Sequence, residues 1–250
     1  MKIFLIIVTL IMTLPCQIYP QSESRHAPSN KISINSTYFI LGTLSDYMGR
    51  FTYVDKPSQI DRYYAYEISL MDYLEQIIQR EFKIEIKTTP DTLPKVSLYE
   101  TFSPKLSLII NSYFKKPYLI LDSLKNQPEL NRSYLTGKYY RYGRKINDSI
   151  YSIQLANSAD HKVFDSLLRR EGCTKIHFKY LDNVPAQFIY YFIPTLELKK
   201  YLDSMIKQKK VLDNSYNKMI MTTLKFGKND INKMTNSQTL TNPEIIELFK

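Results

Sequence analysis

The sequence predicts an α+β protein whose C-terminal half is a ferredoxin-like βαββαβ domain and whose N-terminal half is a smaller α+β domain. Three observations lead there. Short segments that alternate apolar and polar residues are interleaved with longer stretches of helical periodicity. Of the 250 residues, 44% are hydrophobic and 23% charged, which suits a packed core and excludes global disorder. Six glycines exclude a Gly-rich array, and no glycine-rich phosphate loop is present.

Taken in order, Lys2, the apolar run Ile3 to Leu14 and the breaker Pro15 read as a signal peptide over residues 1–21, too short to span a bilayer. Export to the periplasm or beyond follows, with cleavage near Gln21; lipid anchoring at Cys16 is the alternative. Residues 22–31 are a polar linker. Thr37 to Leu44 and Phe51 to Val54 read as two strands around Gly49, with one long helix as the competing reading. Ile60 to Phe82 has the spacing of an amphipathic helix. Lys83 to Thr88 and Lys95 to Thr101 alternate as strands on either side of a turn holding Pro90 and Pro94. Ser103 and Pro104 are the N-cap and first residue of a helix reaching about Phe114. The polar stretch Asp122 to Arg132 marks a boundary between domains at 32–121 and 134–226, and residues 227–250 form a tail.

The second half is more regular. Ser149 to Leu155 alternates as a strand, and Ser158 caps a helix with Val163, Phe164, Leu167 and Leu168 on one face. Gly172 ends it after Arg169 and Arg170. Thr174 to Tyr180 and Ala186 to Ile193 are paired strands, Pro194 and Thr195 open a second helix, and Tyr216 to Leu224 is a last strand. Both helices then lie on one face of a four-stranded sheet.

YSIQL, the helix ending in LLRREG, the paired strands and the Pro194-Thr195 step resemble a SPOR (sporulation-related repeat) domain over about residues 149 to 224. The resemblance implies binding of peptidoglycan glycan strands, stripped of stem peptides, on the sheet face free of helices, with Gln154 as the glutamine of the first strand. Strand alternation adds His177, Lys179 and Tyr191 to that face. The same face could instead bury itself against the first domain, as Ile189 and Ile193 suggest.

The formal charge of +10 arises from 34 Lys+Arg against 24 Asp+Glu. Lys138, Arg141, Arg144 and Lys145, interleaved with tyrosines, form either an anion-binding groove or a charged strand edge that resists aggregation. In an exported chain the partner is an envelope polymer or protein, and nucleic acid is set aside. No cofactor or metal is expected: His161, Cys173 and His177, with Asp160 nearby, are not forced to converge. Cys173, the only thiol of the mature chain, has no internal disulfide partner, and His177 lies too far along the strand to act as its base. The sequons at Asn35, Asn131 and Asn147 carry no assignment. No hydrolase motif occurs. The leading expectation is therefore a noncatalytic peptidoglycan binder; a protein-interaction subunit is second. Third is a hydrolase drawing on Asp46, Arg50, Asp61, Arg62 and Glu67.

Overall fold

The computed structural model describes residues 32–45, 58–90, 98–115, 118–119, 124, 127–223 and 240–250. Residues 32–250 form one compact unit. The leader, Asp46, Arg50, the Gly49 turn and the strand at Phe51 to Val54 lie outside the described residues.

The α+β class holds, with antiparallel sheets. Thr37 to Leu44, expected as a strand, belongs to a helix, α1 (Ser36–Thr43), whose N-cap Asn35 accepts the Tyr38 N–H at 3.2 Å. Every side chain from Tyr38 to Thr43 is buried, so its apolar residues surround the axis and leave no amphipathic period to read. The long helix expected from Ile60 is a strand, β1 (Gln59–Tyr64), a short 3-10 turn, and then α2 (Ile68–Phe82). Lys83 leaves α2 in the left-handed region. β2 (Lys87–Pro90) and β3 (Leu98–Phe102) follow, then α3 (Pro104–Asn111), capped by Ser103 as expected. A small hairpin, β4 (Phe114–Lys115) and β5 (Tyr118–Leu119), precedes α4 (Pro128–Tyr142).

β6 (Gly143–Lys145), β7 (Tyr151–Ala156), α5 (His161–Arg170), β8 (Ile176–Leu181), β9 (Gln187–Phe192) and α6 (Leu196–Ser204) follow. Gly172 takes φ +81° to end α5, and Thr195 caps α6. Tyr216 to Leu224, expected as the last strand, is instead helical as far as Thr223 within α7 (Ile206–Thr223). The place of a fourth strand, beside β7, is taken by β6, so the sheet order is β6-β7-β9-β8. The βαββαβ order expected for the second half is not the one present. A final helix, α8 (Asn242–Glu247), lies within the segment expected to be a tail.

The first sheet runs β1-β3-β2, and the second, without β6, runs β7-β9-β8. The two halves thus repeat one order of strands, each with a helix before it, a crossover helix and a helix after it. The leading helices α1 and α4 pack directly on each other. A Cβ on Gly42 would sit 2.1 Å from the Tyr134 carbonyl oxygen, and one on Gly137 would sit 2.2 Å from that of Phe39. Each helix therefore presses its glycine against the other's backbone. α5 buries Val163, Phe164, Leu167 and Leu168 against the second sheet, each worth ~1.5–3 kcal/mol relative to exposure.

Replacing Gly137 with Ala forces the two helices apart against fixed backbone. Urea unfolding is expected to show a loss of at least about 2 kcal/mol.

Candidate functional site

Two places collect the residues that carry chemistry. The first is the end of the α1–α4 pair. Arg141, on the last turn of α4, is buried, and all five of its N–H donors are engaged. Nη1 donates to Asp61 at 2.6 Å and to the Thr43 carbonyl at 2.9 Å; Nη2 donates to the Arg62 carbonyl at 2.6 Å and to Glu67 at 3.0 Å; Nε donates to Glu67 at 2.7 Å. Asp61 also accepts the Ser45 and Arg62 N–H groups, and Glu67 accepts that of Tyr64. The guanidinium lies 4.7 Å from the Tyr63 ring centroid. Burial works against its charge, but Glu67 and Asp61 hold the guanidinium well above its ordinary pKa. Asp61 and Glu67, expected as candidate catalytic carboxylates, are thus the counter-ions of a structural cation. Arg62 pairs with Glu100 at 3.2 Å.

Lys138 and Arg141 therefore do not share a surface with Arg144 and Lys145. Lys138 is fully buried on α4, donating to the Leu44 carbonyl at 3.4 Å with Asp160 at 3.9 Å. Lys145 meets Asp203, which also binds the Tyr151 hydroxyl and Lys199. Arg144 alone reaches the outer face of the second sheet. Gly137 to Tyr142 of this basic, tyrosine-rich segment belong to α4, and Gly143 to Lys145 form β6, an edge strand of the second sheet.

The second place is that outer face. Tyr151, Ile153 and Leu155 on β7 and Phe188, Tyr190 and Phe192 on β9 join the main core. Alternation turns Arg144, Ser152, Gln154, Gln187, Ile189, Tyr191, His177 and Lys179 the other way. Register sets Arg144, Ser152, Tyr191 and His177 in one row across all four strands, and Gln154, Ile189 and Lys179 in a second. Among the described residues of these strands, no carboxylate lies on this face. All four residues expected to form the binding face, Gln154, His177, Lys179 and Tyr191, are on it. Gln154 is exposed and reaches Gln187 at 3.4 Å.

The cover on this face was not legible. Neither the first domain nor solvent meets its centre: α8 does, with Ile245 and Phe249 packed on Ile150, Ile189 and Tyr191. Burial raises the Tyr191 phenol, opposed by the Arg144 charge and a hydrogen bond with the Leu240 backbone. The His177 ring meets Phe249 edge-on, 4.6 Å between centroids.

His161 Nδ1 contacts the Ser158 carbonyl at 2.9 Å and its ring stacks on Phe188, while burial pushes the Cys173 thiol up to about 11. No group of three metal-ligating side chains occurs among the described residues.

No family model and no curated protein matches the chain. Among solved structures, it is similar to mesophilic variants of the homing endonuclease I-DmoI, at 14% identity and TM-score 0.45 over 69% of this chain and 95% of that one. A structure of I-DmoI in complex with DNA and Mn is found at 12% identity and TM-score 0.42, over 69% and 94%. Full-length DUF199/WhiA from Thermatoga maritima is found at 9% identity and TM-score 0.43, over 88% and 91%. The architecture overturns the SPOR resemblance, and with it the peptidoglycan-binding function and the peptidoglycan partner. The second half lacks the βαββαβ order on which that resemblance rested: the sheet runs β6-β7-β9-β8, and the expected last strand is helix. The setting aside of nucleic acid followed from the envelope reading and is withdrawn with it.

Arg141→Ala leaves two buried carboxylates without their cation. Chemical denaturation is expected to show a loss of about 3–5 kcal/mol, whereas replacing Arg141, Asp61 and Glu67 together with apolar residues of similar volume is expected to cost far less.

Proposed function

We propose that the chain is a noncatalytic nucleic-acid-binding protein that meets the sugar–phosphate backbone with the outer face of its second sheet. The observation that carries this reading is the composition of that face: cations, amides, an imidazole and a tyrosine in two registered rows, with no carboxylate among the described strand residues. Lys175, just before the edge strand β8, and His177 and Lys179 on it follow one another at alternate positions, ~6.6 Å apart. Such a row tracks a phosphate backbone, while Gln154 and Gln187 offer donors and acceptors to base edges and Tyr191 a ring for stacking. The long-range term agrees in sign, since a sequence pI of about 9.3 favours polyanions. The outer side of the first sheet contrasts with it: there Arg62 and Gln59 are both spent on Glu100.

Noncatalytic binding is supported by the fate of Asp61 and Glu67. A carboxylate pair that cuts a phosphodiester or glycosidic bond must face its substrate, and these face Arg141.

Fluorescence anisotropy with labelled single-stranded and duplex oligonucleotides tests the reading. Affinity should fall linearly in log–log form with salt, and Lys179→Ala and Arg144→Ala should each lower the slope by about one. Binding indifferent to salt and to both substitutions would overturn it, as would equal affinity for heparin and for nucleic acid.

A further inference from the structure

We propose that α8 is an intramolecular competitor for nucleic acid, occupying the outer face of the second sheet and leaving it when nucleic acid binds; this rests on the nucleic-acid reading above. The contacts of α8 and the residues flanking it fall on cations and rings that a nucleic acid would use. Arg144 donates to the Asn242 side chain. Lys175 donates to the Phe249 carbonyl at 3.2 Å. The Thr241 hydrogen bonds, with a smaller contribution from the Lys179 charge, hold the Glu244 carboxyl below its usual range. The Phe249 ring sits against His177, and Tyr191 is covered by the Leu240 backbone, Ile245 and Phe249. A side-chain amide and a carbonyl dipole thus stand where phosphate oxygens would, and a phenyl ring stands where a base would.

The construction of α8 suits an element that comes and goes. Six residues fall far below the ~12–15 that hold a helix together alone in water. Its own support is one capping box, in which Glu244 accepts the Thr241 N–H at 2.7 Å while its N-terminal turn holds Pro243. Docking therefore makes the helix, and loss of docking unmakes it. Residues 224–239 tether α8 to α7, so a displaced α8 stays at high local concentration and rebinds once nucleic acid dissociates. Its anchoring is apolar at Ile245, 1% exposed, and polar at the rim. Salt therefore weakens the nucleic acid more than it weakens α8.

The experiment compares three chains by anisotropy with a labelled 30-nucleotide single strand and a 30-base-pair duplex: the full chain, a chain ending at Thr239, and the full-length double variant Ile245→Ser, Phe249→Ser. A competitor lowers apparent affinity by the fraction of molecules whose face is open, and both altered chains are expected to bind at least about fivefold tighter than the full chain. Hydrogen exchange on the unaltered chain supplies a readout independent of any variant's folding: amides of residues 245–250 should lose protection as oligonucleotide saturates. Equal affinity of a folded altered chain and the full chain, or undiminished protection of 245–250 at saturation, overturns the competitor while leaving nucleic-acid binding in place. Failure of all three chains to bind overturns the functional reading itself.

Discussion

The contact on which the rest of the structure depends is the one between α1 and α4, where Gly42 and Gly137 let two helices approach backbone to backbone. At 3.0 Å or so from either ideal Cβ lies the other helix's glycine Cα, so neither position has room for a side chain. Once the two helices meet this closely, everything each half builds is referred to a common axis. β1 and β3 are hung on α1 and α2, β7 and β9 on α4 and α5, and both halves share one hydrophobic core. The price of so close a contact is that polar groups on α4 are carried inside with it. Two of them, Ser133 and Thr136, donate locally to the carbonyls of Glu129 and Arg132 at 2.7 and 2.6 Å, and Ser133 also accepts the Asn35 N–H at 3.0 Å.

Arg141 closes the same axis at its far end. A buried guanidinium is tolerable only when its donors are all met and its charge is balanced, and here the partners come from three separate places: the last residue of α1, strand β1 and the turn before α2. The ion pair consequently fixes the junction of the halves in a way that apolar packing, which slides, does not. It also engages Asp61 and Glu67, whose charge is used within the fold.

This arrangement accounts for what the sequence disclosed and what it hid. β7, α5, β8, β9 and α6 were readable because each buries one face, so that alternation or helical spacing survives in the residues, and because Gly172 and Thr195 punctuate them. α1 was misread because a helix buried on all sides shows no period. α4 was misread for the opposite reason: its Asn, Ser, Thr, Lys and Arg residues look like a linker until their partners are known, and those partners lie far away in the chain. β1 was absorbed into the helix that follows it, since Ile60 and Tyr64 happen to extend the spacing of α2. The outer face of the second sheet was easier to read in its members than in its cover. Gln154, His177, Lys179 and Tyr191 followed from alternation alone, whereas their cover could not, because LTNPEIIELFK carries too little pattern to reveal where it docks.

The cover and the departure from a βαββαβ order have a common origin. In that order the chain after the second helix returns to the sheet as the strand beside the first one. Here β6, which precedes β7 and grows directly from the end of α4, already occupies that edge, with Gly143 opposite Ile153 and Lys145 opposite Tyr151. The chain beyond α6 is therefore released from making sheet and continues as α7. What returns to the sheet is not a strand at its edge but α8 on its face, and a face can be vacated without breaking any hydrogen bond between strands. An edge strand would be part of the fold, and its loss would open the core; a helix resting on Ile189 and Tyr191 can leave with the sheet intact. The topology thus separates what holds the protein together from what closes its basic surface.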